Sequence, residues 1–183
     1  HGPALTIDLG ALVANWRALG ARAGTEAAAV VKADAYGLGI EPAVTALAAA
    51  GCRNFFVAHL SEGIRARAVA REATIYVLNG LPPGASAELA GAGLQPVLGS
   101  ADEVDEWAAY RAAGGTGAAA LHVDTGMQRL GVTIEEAAAI APSAKALGLS
   151  LVMSHLAAAD QPDHPLNAAQ LARFRSVASA FAG

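Results

Sequence analysis

Short apolar runs alternate with alanine-rich stretches along most of the chain. The runs are continuous rather than alternating with polar residues, which is typical of parallel strands buried on both faces. They predict strands at residues 28–32, 54–58, 74–78, 95–98, 118–123 and 150–154. The stretches between them predict helices near residues 41–50, 61–71, 84–91, 101–113, 133–147 and 166–181. Strands that alternate with helices in this order predict a parallel α/β fold.

Two local signals refine these boundaries. Ahead of the first unit, LTIDL predicts a short strand and GALVANWRALG a helix. Ser61 with Glu62, and Ser100 with Asp102, predict helix starts, because a hydroxyl caps the first amides and acidic residues favour the first turn.

The chain holds about six strand–helix units, and two architectures accommodate them. A complete eight-stranded barrel takes about 250 residues, so length alone favours an open six-stranded sheet. However, Lys32, Asp124 and His155 each follow a predicted strand, at the edge where parallel α/β folds place their active sites. This placement favours a partial (β/α)8 barrel, one incomplete domain over residues 1–183. Its two open sheet edges lead us to expect that these residues folded as part of something larger.

Composition excludes several classes of protein. The chain is 54% hydrophobic and 15% charged, against about 25% charged in an average domain, so we expect both sheet faces to be covered. The net charge of −4 without a basic run argues against nucleic acid. No apolar run approaches the roughly 20 residues of a membrane span, and HGPALTIDL does not resemble a secretory signal. A single cysteine, Cys52, fits a reducing compartment and predicts a cytoplasmic protein.

Lys32 lies in VVKADAYGLG and has two interpretations. It extends from a strand end into solvent, or it is a Schiff-base lysine whose amine is made nucleophilic by partial desolvation. Tyr36, four residues on, is placed to return its hydroxyl to the same site. Gly37 and Gly39 would let the backbone approach a ligand closely.

Two further stretches carry candidate chemistry. In LHVDTGMQRLG, DTG suits a turn and Arg129 suits a surface position. DTG also occurs in aspartic proteases, but those need two such motifs in an all-β fold. In MSHLAAAD, His155 is either a hydrogen-bonded core residue or a functional one.

Taken in this order and spacing, VVKADAYGLG, VDTGMQRLG and SHLAAAD resemble the motifs of alanine racemase. That family comprises fold-type III pyridoxal phosphate (PLP) enzymes with an N-terminal eight-stranded α/β barrel and a C-terminal β domain. Weaker similarities lie at IDLGALVANWRAL, FFVAHLSEGIRAR and YVLNG. The resemblance covers essentially all 183 residues and matches the first half of such an enzyme.

The resemblance implies a role for each matching residue. Lys32 corresponds to the lysine that forms the Schiff base with PLP and moves the proton on the D face. Tyr36 corresponds to the tyrosine that binds the cofactor phosphate. Arg129 corresponds to the arginine that reaches the phenolic oxygen of PLP and the substrate carboxylate. His155 corresponds to the histidine behind the pyridine ring, bonded to an arginine at the ring nitrogen.

The same resemblance implies the wider function. The enzyme would interconvert L- and D-alanine for peptidoglycan as a cytoplasmic homodimer, without a metal. Its second base would be a tyrosine from the C-terminal domain of the partner subunit. Most phosphate contacts would come from later barrel strands, so we expect the 183 residues to be inactive alone.

Two departures from the family and two alternative functions stay open. His122 stands where many members carry a carbamylated lysine, which rules out a carbamate and leaves Arg129 to be oriented by His122 or an anion. Leu38 replaces the histidine of AYGHG. A serine or broad-specificity racemase of the same fold is one alternative. A non-catalytic PLP-binding barrel protein is the other, although DTGMQRLG and AYG argue against it.

Overall fold

The computed structural model describes residues 2–181, in which parallel strands alternate with helices as predicted. These residues divide into two compact units, residues 2–78 with 92–94 and residues 79–91 with 95–181. The assignment of residues 1–183 to one incomplete domain stays a prediction, and residues 1, 182 and 183 lie outside the described part.

The first unit is a three-stranded parallel arrangement flanked by helices. Its elements are α1 (Leu9–Ala23), β1 (Ala29–Val30), α2 (Lys32–Tyr36), α3 (Ile40–Ala49), β2 (Asn54–Val57), α4 (Leu60–Val69) and β3 (Thr74–Val77). β2 pairs with β1 and with β3, so that Phe55 lies opposite both Ala29 and Ile75. Phe55 and Ile75 are fully buried, together with Val44 of α3. These apolar side chains form the core of the unit.

The second unit repeats the pattern. Its elements are α5 (Ser86–Gly91), β4 (Gln95–Leu98), α6 (Ala101–Ala112), β5 (Ala119–His122), α7 (Ile134–Ile140), α8 (Ala144–Leu147), β6 (Leu149–Met153) and α9 (Pro165–Ala178), with 3-10 turns at Ala141–Ser143 and Ser179–Phe181. β5 pairs in parallel with β4 and β6, and all four of its residues are buried. Trp107 is fully buried and donates to the Leu147 carbonyl at 2.8 Å, which joins α6 to α8.

The short strand predicted at LTIDL is wrong. Residues 2–8 form no strand, and Leu5 is 85% exposed, because no described strand lies alongside them. Asp8 instead caps α1, accepting a hydrogen bond from the Ala11 amide at 2.9 Å.

The single helix predicted at 133–147 is interrupted. α7 ends at Ile140, and a 3-10 turn carrying Pro142 separates it from α8. A proline ring lacks the amide proton and clashes with the preceding turn, so it breaks the helix at this point.

The two predicted helix caps have different outcomes. The Ser100 hydroxyl accepts a hydrogen bond from the Glu103 amide at 3.3 Å, which confirms the start of α6. α4 begins at Leu60, ahead of Ser61, and Glu62 supplies the capping carboxylate there. Within residues 2–181 no helix is both long and apolar enough to cross a membrane.

Candidate functional site

Lys32 lies at the carboxyl end of β1, where the sequence predicts it. The Val31 amide donates to the Phe56 carbonyl at 2.8 Å, so pairing with β2 continues one residue beyond β1 and stops before Lys32. The lysine is half-buried. Its backbone is therefore held by the sheet while its side chain leaves the strand end.

The turn that follows Lys32 is left-handed. Four successive residues have φ between 52° and 56°: Ala33, Asp34, Ala35 and Tyr36. This conformation brings Cβ close to the following carbonyl oxygen and costs about 1–2 kcal/mol per residue, and of these residue types only aspartate adopts it with any ease. Such strain persists only where surrounding contacts enforce it, and it is common at functional sites.

Gly37 ends this turn in the left-handed region, with φ of 84°, and Gly39 has a positive φ of 89° but an extended ψ of 118°. A Cβ at Gly37 would meet no atom within 4 Å, so this glycine is required by its backbone angle. Close approach of a ligand at either glycine stays a prediction.

Charged side chains from α3 and α4 hold this turn. Asp34 Oδ1 accepts from the Ile40 amide at 3.0 Å and from Arg65 Nη2 at 2.8 Å. Arg65 also binds Glu41, with Nε to Oε1 at 2.6 Å. From the start of α4, Glu62 Oε1 accepts from the Asp34 amide at 3.3 Å. Sequence reasoning assigned Glu62 only to a helix start and gave Asp34, Glu41 and Arg65 no role, although Asp34 lies inside the lysine motif.

Tyr36 closes the turn and is 64% exposed. It borders an apolar groove of about 250 Å³ that is lined also by Leu12, Trp16 and Val30. Lys32 and Tyr36 therefore lie on one short segment of the first unit, with the phenol ring accessible from solvent.

In the second unit, Asp124 organises the DTG loop. Its Oδ1 accepts hydrogen bonds from the amides of Gly126, Met127 and Gln128 at 2.8, 2.9 and 3.1 Å. Desolvation opposes ionisation of Asp124, but these hydrogen bonds outweigh it and hold its pKa below the usual value. The carboxylate therefore binds backbone amides and stabilises the loop.

Arg129 is exposed on this loop. Backbone hydrogen bonds join the two ends of the loop next to the end of β5. The Asp124 amide donates to the Val132 carbonyl at 2.8 Å, and the Val132 amide to the His122 carbonyl at 2.9 Å. Gly131 has φ of 117°, and a Cβ there would lie 2.6 Å from the Asp124 amide nitrogen. Only glycine fits this closure, which fixes the loop that carries Arg129.

His122 ends β5 beneath this loop and is only 8% exposed. Burial, followed by the charges of His155 and Arg129, lowers the pKa of His122, whereas Asp124 opposes this shift. The surroundings of the imidazole therefore disfavour its charged form, and it lies within electrostatic range of His155 and Arg129. Orientation of Arg129 by His122 stays a prediction.

His155 lies just beyond β6 and is exposed. Because His122 pairs with Met153 in the sheet register, His155 and the Arg129 loop leave the second unit at the same end of its strands. The strand-end placement of His155 agrees with the sequence prediction.

Gln170 of α9 connects these two segments and was missed by sequence reasoning. It is fully buried, and its Nε2 donates to Thr125 Oγ1 at 3.1 Å and to the His155 carbonyl at 2.9 Å. Its Oε1 accepts from the Ala157 amide at 2.9 Å. A buried amide with all these partners fixes the relative position of the DTG loop and the His155 segment.

No three His, Cys, Asp or Glu side chains of the described part of the chain are grouped so that they could hold a metal ion. In the first unit, Lys32 and Tyr36 offer an amine and a phenol after β1. In the second unit, Arg129 and His155 offer a guanidinium and an imidazole after β5 and β6.

Residues 7–183 match the protein family described as "Alanine racemase, N-terminal domain". The alanine racemase of Methylobacterium sp. (strain 4-46) is 56% identical over 187 residues, which cover 100% of this chain and 51% of that protein. The chain thus spans about half the length of the curated relatives it matches.

Solved structures agree with this match. The crystal structure of alanine racemase from Bartonella henselae with covalently bound pyridoxal phosphate has a TM-score of 0.89 and 37% identity, over 95% of this chain and 52% of that one. The biosynthetic alanine racemase of Pseudomonas aeruginosa has a TM-score of 0.83 and 33% identity, over 95% of this chain and 49% of that one. The predicted fold class, part of an α/β barrel without the C-terminal β domain in these 183 residues, is confirmed.

Proposed function

Because the chain belongs to the alanine racemase N-terminal domain family, we propose that the complete protein interconverts L- and D-alanine with PLP as its cofactor. The activity would belong to the complete protein, because these residues span about half the length of the alanine racemases that they match. The reaction would supply D-alanine for peptidoglycan.

The side chains at the strand ends fit PLP chemically. The cofactor carries an aldehyde, a phosphate, a phenolic oxygen and a ring nitrogen. An amine can bond the aldehyde, and a phenol and a guanidinium can donate to the phosphate and phenolic oxygens. Lys32, Tyr36 and Arg129 supply these three groups.

Lys32 would hold the cofactor covalently and move a proton at the α-carbon of the amino acid, on its D face. PLP, when bound, withdraws electrons from that carbon, so the protein needs to supply only orientation and proton transfer. The position of Lys32 suits both tasks, because its backbone follows directly on a hydrogen-bonded strand end and its side chain carries an amine that can act as a nucleophile.

The other residues would bind and orient. The exposed Tyr36 hydroxyl would donate to the cofactor phosphate. The Arg129 guanidinium would donate to the phenolic oxygen and to the substrate carboxylate, which suits its planar, permanently charged group. His155 would hydrogen-bond an arginine at the ring nitrogen.

Racemisation needs a second base on the opposite face of the α-carbon. We assign it to a tyrosine of the partner subunit's C-terminal domain, which makes the working enzyme a homodimer. We place the enzyme in the cytoplasm, in keeping with the single buried thiol of Cys52.

The observation that carries this proposal is the backbone at Lys32. A run of four left-handed residues directly after a strand-end lysine is costly, and such strain is typical of functional segments. The relative from Bartonella henselae is described with covalently bound pyridoxal phosphate, which supports the same assignment.

The experiment is a racemisation assay on the complete protein. We expect conversion of L-alanine to D-alanine, loss of this activity in Lys32→Ala, and full activity in the matched control Lys145→Ala. Activity in Lys32→Ala equal to that of the unmodified protein would refute the proposal. Faster turnover of serine than alanine would indicate the broad-specificity alternative, and PLP binding without racemisation of either would indicate a non-catalytic protein.

A further inference from the structure

We propose that Glu62 is a positioning residue that holds the Lys32 turn in its left-handed conformation. The inference rests on the proposed function only in so far as Lys32 binds the cofactor. The contact itself is a property of this chain.

One carboxylate of α4 serves two backbone segments. Glu62 Oε2 accepts from the amides of Ala58 and His59 at 2.8 and 3.3 Å, which caps the start of α4. Glu62 Oε1 accepts from the Asp34 amide at 3.3 Å, a residue 28 positions away in the sequence. The side chain therefore ties the second residue of the left-handed turn to the first turn of α4.

The Asp34 amide needs such a partner. The first amides of any helical turn lack carbonyl acceptors within the turn, and this holds for either hand. The Ala35 amide donates a hydrogen bond to the Val31 carbonyl at 2.9 Å, and the Asp34 amide donates one to the Glu62 carboxylate. Glu62 thus caps two helical turns at once, one of each hand.

Glu62 is better suited to this role than its neighbour Arg65. The ion pairs of Arg65 to Asp34 and Glu41 join side chains that are each more than 40% exposed, so solvent screens them. Glu62 is half-buried, and its contacts are charge-assisted hydrogen bonds to backbone amides, which are stronger than neutral ones. Glu62 also binds the backbone of the turn itself, whereas Arg65 binds only the side chain of Asp34 there.

Two substitutions in the complete protein test this role. Glu62→Gln removes the charge, and Glu62→Asp keeps the charge but is one methylene shorter. The shorter side chain should retain the α4 cap and lose the Asp34 amide. Glu72→Gln, an exposed glutamate of the same unit, is the control for a change of surface charge.

The readout is amide hydrogen exchange in peptides covering residues 32–39 and 60–69, without PLP, and then the dissociation constant of PLP. For Glu62→Asp we expect about tenfold faster exchange in residues 32–39 with residues 60–69 unchanged, and about tenfold weaker PLP binding. Glu72→Gln should change neither. Unchanged exchange in residues 32–39, or equal acceleration in both peptides, would overturn the proposal. Because exchange is measured without PLP, this result stands even if the protein proves not to be a racemase.

Discussion

At the scale of single residues, this chain separates side chains that are open to solvent from side chains that hold the backbone. Arg129 is exposed on its loop, whereas the carboxylate of Asp124 on the same loop accepts hydrogen bonds from three backbone amides. The sequence identifies both residues, but only the structure separates their tasks.

Replacing Arg129 with lysine should affect catalysis and spare cofactor binding. A lysine keeps the charge but loses the planar set of donors, so we expect kcat/KM to fall about tenfold or more while PLP stays bound. Arg175→Lys, on an exposed position of α9, is the matched control. Equal kcat/KM in the two variants would remove Arg129 from the site.

Replacing Asp124 with asparagine should lower stability in a pH-dependent way. The folded protein lowers the pKa of Asp124, so the stabilisation is fully present above the unfolded pKa of about 3.9 and is lost as pH falls through the folded pKa. Since the group is partly exposed, we expect a loss of about 1 kcal/mol at pH 7. The difference from wild type should shrink below pH 4 in thermal melts, with Asp105→Asn as control. A constant difference down to pH 2 would contradict this account.

The limits of sequence reasoning are clear at this scale. Lys32 and His155 each follow an apolar run, so their positions at strand ends could be predicted, and Tyr36 and Arg129 were identified because they belong to recognisable local motifs. Glu62 and Gln170 act through hydrogen bonds to residues 28 and 45 positions away, and no local pattern encodes such partners.

At the scale of elements, the chain follows its predicted alternation of strands and helices from β1 to α9, but the turn after Lys32 is left-handed and Pro142 interrupts one predicted helix. β1 was predicted to span 28–32 and is limited to Ala29–Val30, since the left-handed turn begins directly after Lys32. Alanine has the highest propensity for right-handed helix, so KADAY by itself does not indicate the opposite hand. The interruption by Pro142, in contrast, could be predicted from the sequence, because a proline inside a helical pattern breaks the helix.

Glycine substitutions at two exposed alanines should therefore have opposite effects. Ala33→Gly relieves a left-handed residue, and the relief exceeds the entropy cost of glycine, so we expect a gain of about 0.5–1 kcal/mol. Ala109→Gly lies within the right-handed α6 and should lose about 0.5–1 kcal/mol. Thermal unfolding of both variants checks the signs. Destabilisation by Ala33→Gly equal to that by Ala109→Gly would argue against a left-handed turn.

At the scale of the whole molecule, the described residues leave strand edges without a partner. Among residues 2–181, β1 pairs only with β2, and β6 pairs only with β5. Val30 on the first of these edges is 46% exposed. Sequence patterning predicted the α/β class, but residues that match half of a relative cannot reveal what covers these edges.

The 183 residues produced alone should self-associate through these edges. Unpaired strand amides and carbonyls offer a template for another chain. Light scattering should detect oligomers or aggregates, and the complete protein should instead give a defined homodimer. A monodisperse 18.2 kDa monomer that unfolds cooperatively would contradict this expectation.

The central claim, that Lys32 holds the cofactor, is tested most directly by borohydride reduction of the complete protein loaded with PLP. Reduction makes the bond between the cofactor and its lysine permanent, and peptide mapping by mass spectrometry then locates the label. The account predicts a pyridoxyl group on Lys32 in the peptide containing VVKADAYGLG. A label on Lys145, or on no lysine of this chain, would contradict it.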